Sequence, residues 1–167
     1  ANLGAKITAG SVAAGGTLTI SAAQATTINF IGTGNLTVGD VVAGTNLTNV
    51  AAGLAVTATL ADSTDISANA QLTAVDNFSI DTDASVIMTI AQQDKISSAA
   101  GTETVTLSDL GTVVGNAAVE NYVLAAGAQS LTLGASGQNV TLDGSGATGS
   151  VAISTGTLTS ITGTLSD

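Results

Sequence analysis

Chemistry in this chain has to come from carboxylates and hydroxyls. The densest set of hard oxygen donors is Asp76, Asp81 and Asp83, with Asp62 and Asp65 a little ahead of them. Carboxylates at this density suit Ca²⁺, which takes about six to eight oxygen ligands at a chain corner. Their spacing matches no loop that supplies so many donors, so a solvated acidic turn is the competing expectation. A second pair, Glu103 and Glu120, stands beside ten Asp. Two facing carboxyl groups raise the question of glycoside hydrolysis, but the chain has no aromatic platform to cradle a sugar ring. The Thr-x-Thr runs at Thr17/Thr19, Thr57/Thr59, Thr104/Thr106 and Thr157/Thr159 suggest a hydroxyl array of the kind an ice-binding solenoid presents. Thr is β-branched and favours strands in any case, and the irregular spacing of the runs argues against one continuous row. Asn-x-Ser/Thr triplets at Asn35, Asn46, Asn77 and Asn139 read first as strand and turn residues in so Ser- and Thr-rich a chain.

What is missing narrows the field further. The 167 residues contain no His, Cys, Pro or Trp, and the two cations are Lys6 and Lys95. There is then no imidazole base near neutral pH, no thiolate and no soft zinc ligand. Catalysis, bound cofactors and a catalytic residue set are not expected. The net charge of −10 makes nucleic acid an improbable partner, since phosphate binding needs clustered Lys and Arg. Polar residues interrupt every apolar run well short of the roughly 20 residues a membrane-spanning helix needs. Scarcity of tryptic sites and indifference to redox state suit an extracellular or cell-surface location.

Apolar residues make up 44% of the chain, aromatics 2% and charged residues 8%, so the sequence is too apolar and too sparsely charged to be disordered. A core of Ala, Val, Leu and Ile beside twenty Gly fits narrow stacked coils better than a wide globular interior. Period-two alternation dominates, as in Thr17-Leu18-Thr19-Ile20, Asn35-Leu36-Thr37-Val38, Ala55 to Leu60, Val86 to Ile90, Thr104 to Leu107 and Asn139 to Leu142. Each run predicts a short strand with one apolar and one Thr-rich face. Such strands recur about every 7 to 12 residues, the spacing of a β-sandwich or a β-solenoid. The absence of Pro favours the solenoid, in which every backbone N–H is wanted for ladders on both sides.

Ala22-Ala23-Gln24 and Ala91-Gln92-Gln93 interrupt the alternation with helix-favouring residues and predict single helical turns, with 66–72 as a third. Phe30, in Ile28-Asn29-Phe30-Ile31, predicts a strand covered on both faces, the second by a neighbouring subunit, and Phe78 and Tyr122 predict core plugs or end caps. The stretch from Leu18 through Gln24 to Asp40 resembles that from Met88 through Gln92 to Asp109. The predicted organisation is one elongated domain, 1–167, with a duplication of about 70 residues, roughly 15–62 and 84–135.

The runs from Thr17 to Ala25, from Val105 to Leu124 and from Gly134 to Gly146 resemble the degenerate repeats of large type I-secreted bacterial surface proteins, which include surface-layer proteins and giant adhesins. The resemblance spans about two thirds of the chain. The calcium-binding nonapeptide of that class does not occur intact; Gly32-Thr33-Gly34-Asn35 and Asp143-Gly144-Ser145-Gly146 are its nearest counterparts.

The predicted fold is therefore all-β, a parallel β-solenoid of short strands with one or two helical turns. The alternative is a fimbrial-type β-sandwich completed by a donated strand, with residues 1–9 as donor. The predicted function is a non-enzymatic structural protein of the bacterial cell surface that self-assembles into a surface layer or extracellular filament. An adhesin stalk or carbohydrate-binding module, with a surface polysaccharide as partner, is the second reading, and an ice-binding solenoid the third.

Overall fold

A computed structural model describes residues 8–124, 129–133, 138–142, 151–154 and 162–165. The chain is a parallel β-solenoid of about six turns with very little helix. In chain order its elements are β1 (Ala9–Val12), β2 (Thr17–Ser21), α1 (Ala22–Thr27), β3 (Asn29–Gly32), β4 (Asn35–Gly39), β5 (Ala55–Leu60) and β6 (Thr64–Asp65). There follow β7 (Asn77–Ile80), β8 (Ser85–Met88), α2 (Ile90–Gln93), β9 (Ile96–Ser98), β10 (Thr104–Leu107), β11 (Thr112–Val114) and β12 (Asn121–Leu124). The last four are β13 (Gln129–Thr132), β14 (Asn139–Leu142), β15 (Val151–Ser154) and β16 (Thr162–Leu165).

Strands pair with the strand one coil away, which is a sequence neighbour only for β4 and β5. The ladders run β1-β3, β2-β4-β5-β7-β9, β6-β8-β10-β12-β14-β16 and β11-β13-β15, and every pairing is parallel. Partners lie between 17 residues apart, as for Thr104 and Asn121, and 23 apart, as for Asn139 and Thr162. This parallel arrangement removes the sandwich with a donated strand. Ala9, placed in the donor segment, pairs with Asn29 of its own chain, and residues 1–7 lie outside the described part.

The period-two pattern explains both faces of a ladder. Leu18, Leu36 and Val56 stack in register, and Ile20, Val38, Ala58, Phe78 and Ile96 form the neighbouring column. Nearly all of these side chains are buried, and burying each is worth about 1.5–3 kcal/mol. Phe78 and Tyr122 lie within such columns, Tyr122 between Val105 and Val140, so they are core residues and not end caps. One close approach depends on glycine. Gly32 has φ of +126°, and a Cβ there would collide with the carbonyl oxygen of Val12.

Two sequence-based expectations are corrected. The strand foreseen through Ile90 stops at Met88, because Thr89 turns the chain into α2 as its N-cap. Residues 66–72 form hydrogen-bonded turns and no helix. The carboxylate of Asp65 accepts from Ser67 N–H at 2.9 Å and the Asn69 amide oxygen from Gln71 N–H at 2.9 Å, and these local bonds compete with helix formation. Within one chain, β3 has Phe30 buried and Ile31 52% exposed, so cover on its second face would come from a neighbouring subunit. The four Thr runs share no single row, since Thr104 and Thr106 pair with Ser85, Ile87, Asn121 and Val123 in another ladder and Thr157 and Thr159 lie outside the described residues, but a short row forms. Thr19, Thr37 and Thr57 are direct partners across β2, β4 and β5, because α1, β3 and the 40–54 segment absorb the differences in coil length outside this ladder.

Candidate functional site

The acidic side chains are the chain's main chemical resource, and the coil corners engage them with backbone. Asp76 Oδ2 accepts from Val56 N–H at 2.8 Å while its own N–H donates to Val56 O at 3.0 Å. Asp62 Oδ1 accepts from Ser85 N–H, Asp83 Oδ1 from Thr102 N–H and Asp109 Oδ1 from Ile90 N–H, each at 2.8 Å. Glu103 Oε1 accepts from Asp83 N–H at 3.2 Å, and Glu120 Oε2 from Glu103 N–H at 3.1 Å. The partners in these bonds are 17 to 23 residues apart in sequence. Each carboxylate therefore crosses from one coil to the next, at the place where a tight corner leaves a ladder N–H without a strand partner.

This arrangement separates the three aspartates singled out for Ca²⁺. Asp76 precedes β7 and caps β5, Asp81 follows β7 and bonds through its backbone to Leu60 O at 3.0 Å, and Asp83 caps Thr102. Among the described residues no three acidic side chains converge as a metal-holding group. Glu103 and Glu120, by contrast, are brought together, but Glu103 is fully buried and its carboxyl has no route to a sugar. Hydrogen bonds from Ser85 N–H and the Ser63 hydroxyl hold the Asp62 carboxyl below its usual range, and those from the Ser67 hydroxyl and N–H do the same for Asp65. Burial, and then the neighbouring Glu120 carboxyl, push Glu103 up. Burial also pushes the Tyr122 phenol up, and its oxygen accepts from Asn116 N–H at 2.6 Å.

Amides do the same work, and sequence reasoning missed them. Asn69 Nδ2 donates to Thr45 O at 2.9 Å and Gln92 Nε2 to Ile66 O at 2.9 Å. Asn116 Nδ2 donates to Ile96 O at 2.7 Å, and Gln138 Nε2 to Val119 O at 2.6 Å. Asn139 Nδ2 reaches Asn121 Oδ1 at 3.1 Å in the adjacent strand. The signal that would have revealed them is the recurrence of Asn and Gln at coil-length offsets, such as Asn121 and Asn139, 18 apart. Asn35, Asn77 and Asn139 open strands, and Asn46 accepts from Thr48 in a turn.

A depression of about 180 Å³ lies beside α2, lined by Asn69, Leu72, Phe78, Gln92 and Lys95 among others. It is smaller than the roughly 300 Å³ at which small-molecule sites begin. Its two strongest donors are engaged with backbone: Gln92 as above, and Lys95 Nζ with Val75 O at 2.6 Å. Among the described residues no helix is long and apolar enough to cross a membrane.

Stacked parallel ladders, aliphatic columns and coil-to-coil carboxylate and amide clamps together define a β-solenoid repeat protein. No protein-family model, curated protein or solved structure matches the chain.

Proposed function

We propose that the chain is a non-enzymatic structural segment of a bacterial surface protein, working outside the cell and assembling with copies of itself into a layer or filament. The observation that carries this reading is how the polar side chains are used: six carboxylates and several amides bond one coil to the next. Such investment suits a rod whose task is to keep its shape. Parallel ladders also end in unpaired N–H and C=O groups that a further strand can satisfy, and few charges and no Pro oppose this. The resemblance to degenerate repeats of secreted surface proteins points the same way. Negative-stain microscopy of the purified chain across a concentration series tests the proposal. Ordered sheets or fibres are expected, and dispersed monomers at high concentration would overturn self-assembly.

The row of Thr19, Thr37 and Thr57 favours a second reading, a hydroxyl face that binds ice. Neighbouring hydroxyls in such a row stand about 4.8 Å apart, with Thr17 and Thr59 extending the same outward face. Thermal hysteresis and faceted ice growth would support it, and normal ice growth in the presence of the chain would remove it. The adhesin-stalk and carbohydrate-module readings gain no such observation.

A further inference from the structure

We propose that the corner holding Glu103 is a proton-operated latch between coils, closed when Glu103 is neutral and loosened when it ionises. Glu103 sits in the turn ahead of β10 and is 0% exposed. Its Oε1 accepts one hydrogen bond, from Asp83 N–H at 3.2 Å, while Oε2 is buried with no hydrogen-bond partner. The titratable groups facing it are Asp83, from the turn ahead of β8, and Glu120, from the turn ahead of β12. Both are acids. Asp83 Oδ1 is held by Thr102 N–H at 2.8 Å, and Glu120 Oε2 by the N–H of Glu103 at 3.1 Å. The corner is closely built, since a Cβ on Gly101, whose φ is +111°, would collide with Asp83 Oδ1. Lys95, the cation among the described residues, donates to Val75 O.

Ionised Glu103 thus places a charge in a buried corner beside the Glu120 carboxyl, with little but backbone N–H to offset it. Burying a poorly compensated charge is costly. Protonation removes the charge and supplies a hydrogen that Oε2 can offer to Glu120. The raised pKa of Glu103, caused first by burial and then by Glu120, agrees with this geometry. For a group raised on folding, the stabilisation is complete below the unfolded carboxyl value and gone once pH has risen through the folded one. Glu103 and its neighbours join β8 to β10 and β10 to β12, so the loosening falls on those coils.

Carboxyl-carbon NMR titration of the full chain, together with urea unfolding of wild type and Glu103→Gln across pH, tests the latch. Glu103 is expected to titrate above the ordinary Glu value. Between the unfolded and folded pKa values the folding constant of wild type relative to the variant should fall by about tenfold per pH unit, then level off. Amide exchange in β10 and β12, corrected for the intrinsic pH effect, should quicken in wild type only. An ordinary or lowered Glu103 titration would overturn the proposal, as would a pH-independent difference between the proteins. If Glu103→Gln does not fold, the wild-type titration and amide exchange decide the matter.

Discussion

A carboxylate in a chain with two Lys and no Arg has few cations to meet, and here the backbone N–H takes their place. The bond is charge-assisted and satisfies a donor that a corner would otherwise leave open. Asp76 shows this most simply, because one side chain and one N–H bracket Val56 from both sides. Asp76→Ala should lower stability by about 1–2 kcal/mol, while Asp76→Asn, which keeps an acceptor, should lose less; urea unfolding with unchanged m checks both. Asp62 and Glu103 respond to pH in opposite senses. Asp62 is depressed by its bonds to Ser85 and Ser63, so its contribution is present above the unfolded Asp value and lost as pH falls through its lower folded one. Glu103 is raised, and its contribution is lost as pH rises. Thermal unfolding of wild type across pH is therefore expected to show greatest stability between the two titrations, and Asp62→Asn should shrink the acid limb, with Asp65, also depressed, keeping its share. The clustering of Asp76, Asp81 and Asp83 was legible in the sequence, but their partners were not, since Val56 and Thr102 lie about one coil away.

At the scale of elements, the two helical turns show how short sequence signals become structure. Ser21 and Gln24 form a capping box in which the Ser hydroxyl accepts from Gln24 N–H and the Gln side chain accepts from Ser21 N–H. Thr89 and Gln92 repeat it ahead of α2. The recurrence sits 68 residues away, within the duplication seen in the sequence. Yet β2, which leads into α1, belongs to one ladder and β8, which leads into α2, to another. Equivalent motifs can thus open a helical turn on different sides of the coil, because a capping box depends on four consecutive residues and not on the ladder before it. Ser21→Ala and Thr89→Ala should each cost about 1 kcal/mol, measured by urea unfolding, with Ser→Thr and Thr→Ser nearly neutral. Strands with clean alternation, such as β4, β5 and β10, were visible in advance. β9, although strand-forming, was not, because a run of three residues with Ile96 as its single apolar member carries no period to stand apart from the turns.

The whole molecule is held by repetition of small contacts. A core only a few side chains wide leaves each column dependent on its immediate neighbours above and below. Leu36, fully buried between Leu18 and Val56, should lose about 2–5 kcal/mol on change to Ala. Amide exchange should locate the damage in β2, β4 and β5 ahead of β12, as expected if coils couple chiefly to their neighbours. Composition and period alone determined that this chain is all-β and poor in catalytic groups, because alternation, small apolar residues and missing His and Cys are local facts, while the parallel ladders decided for the coil over the sandwich. Which Thr line up, which acids meet and which amides cross between coils depended on registers of 17 to 23 residues. Those registers arise from loops of unequal length that happen to close the same circuit, and only the folded coil decides how each loop does so.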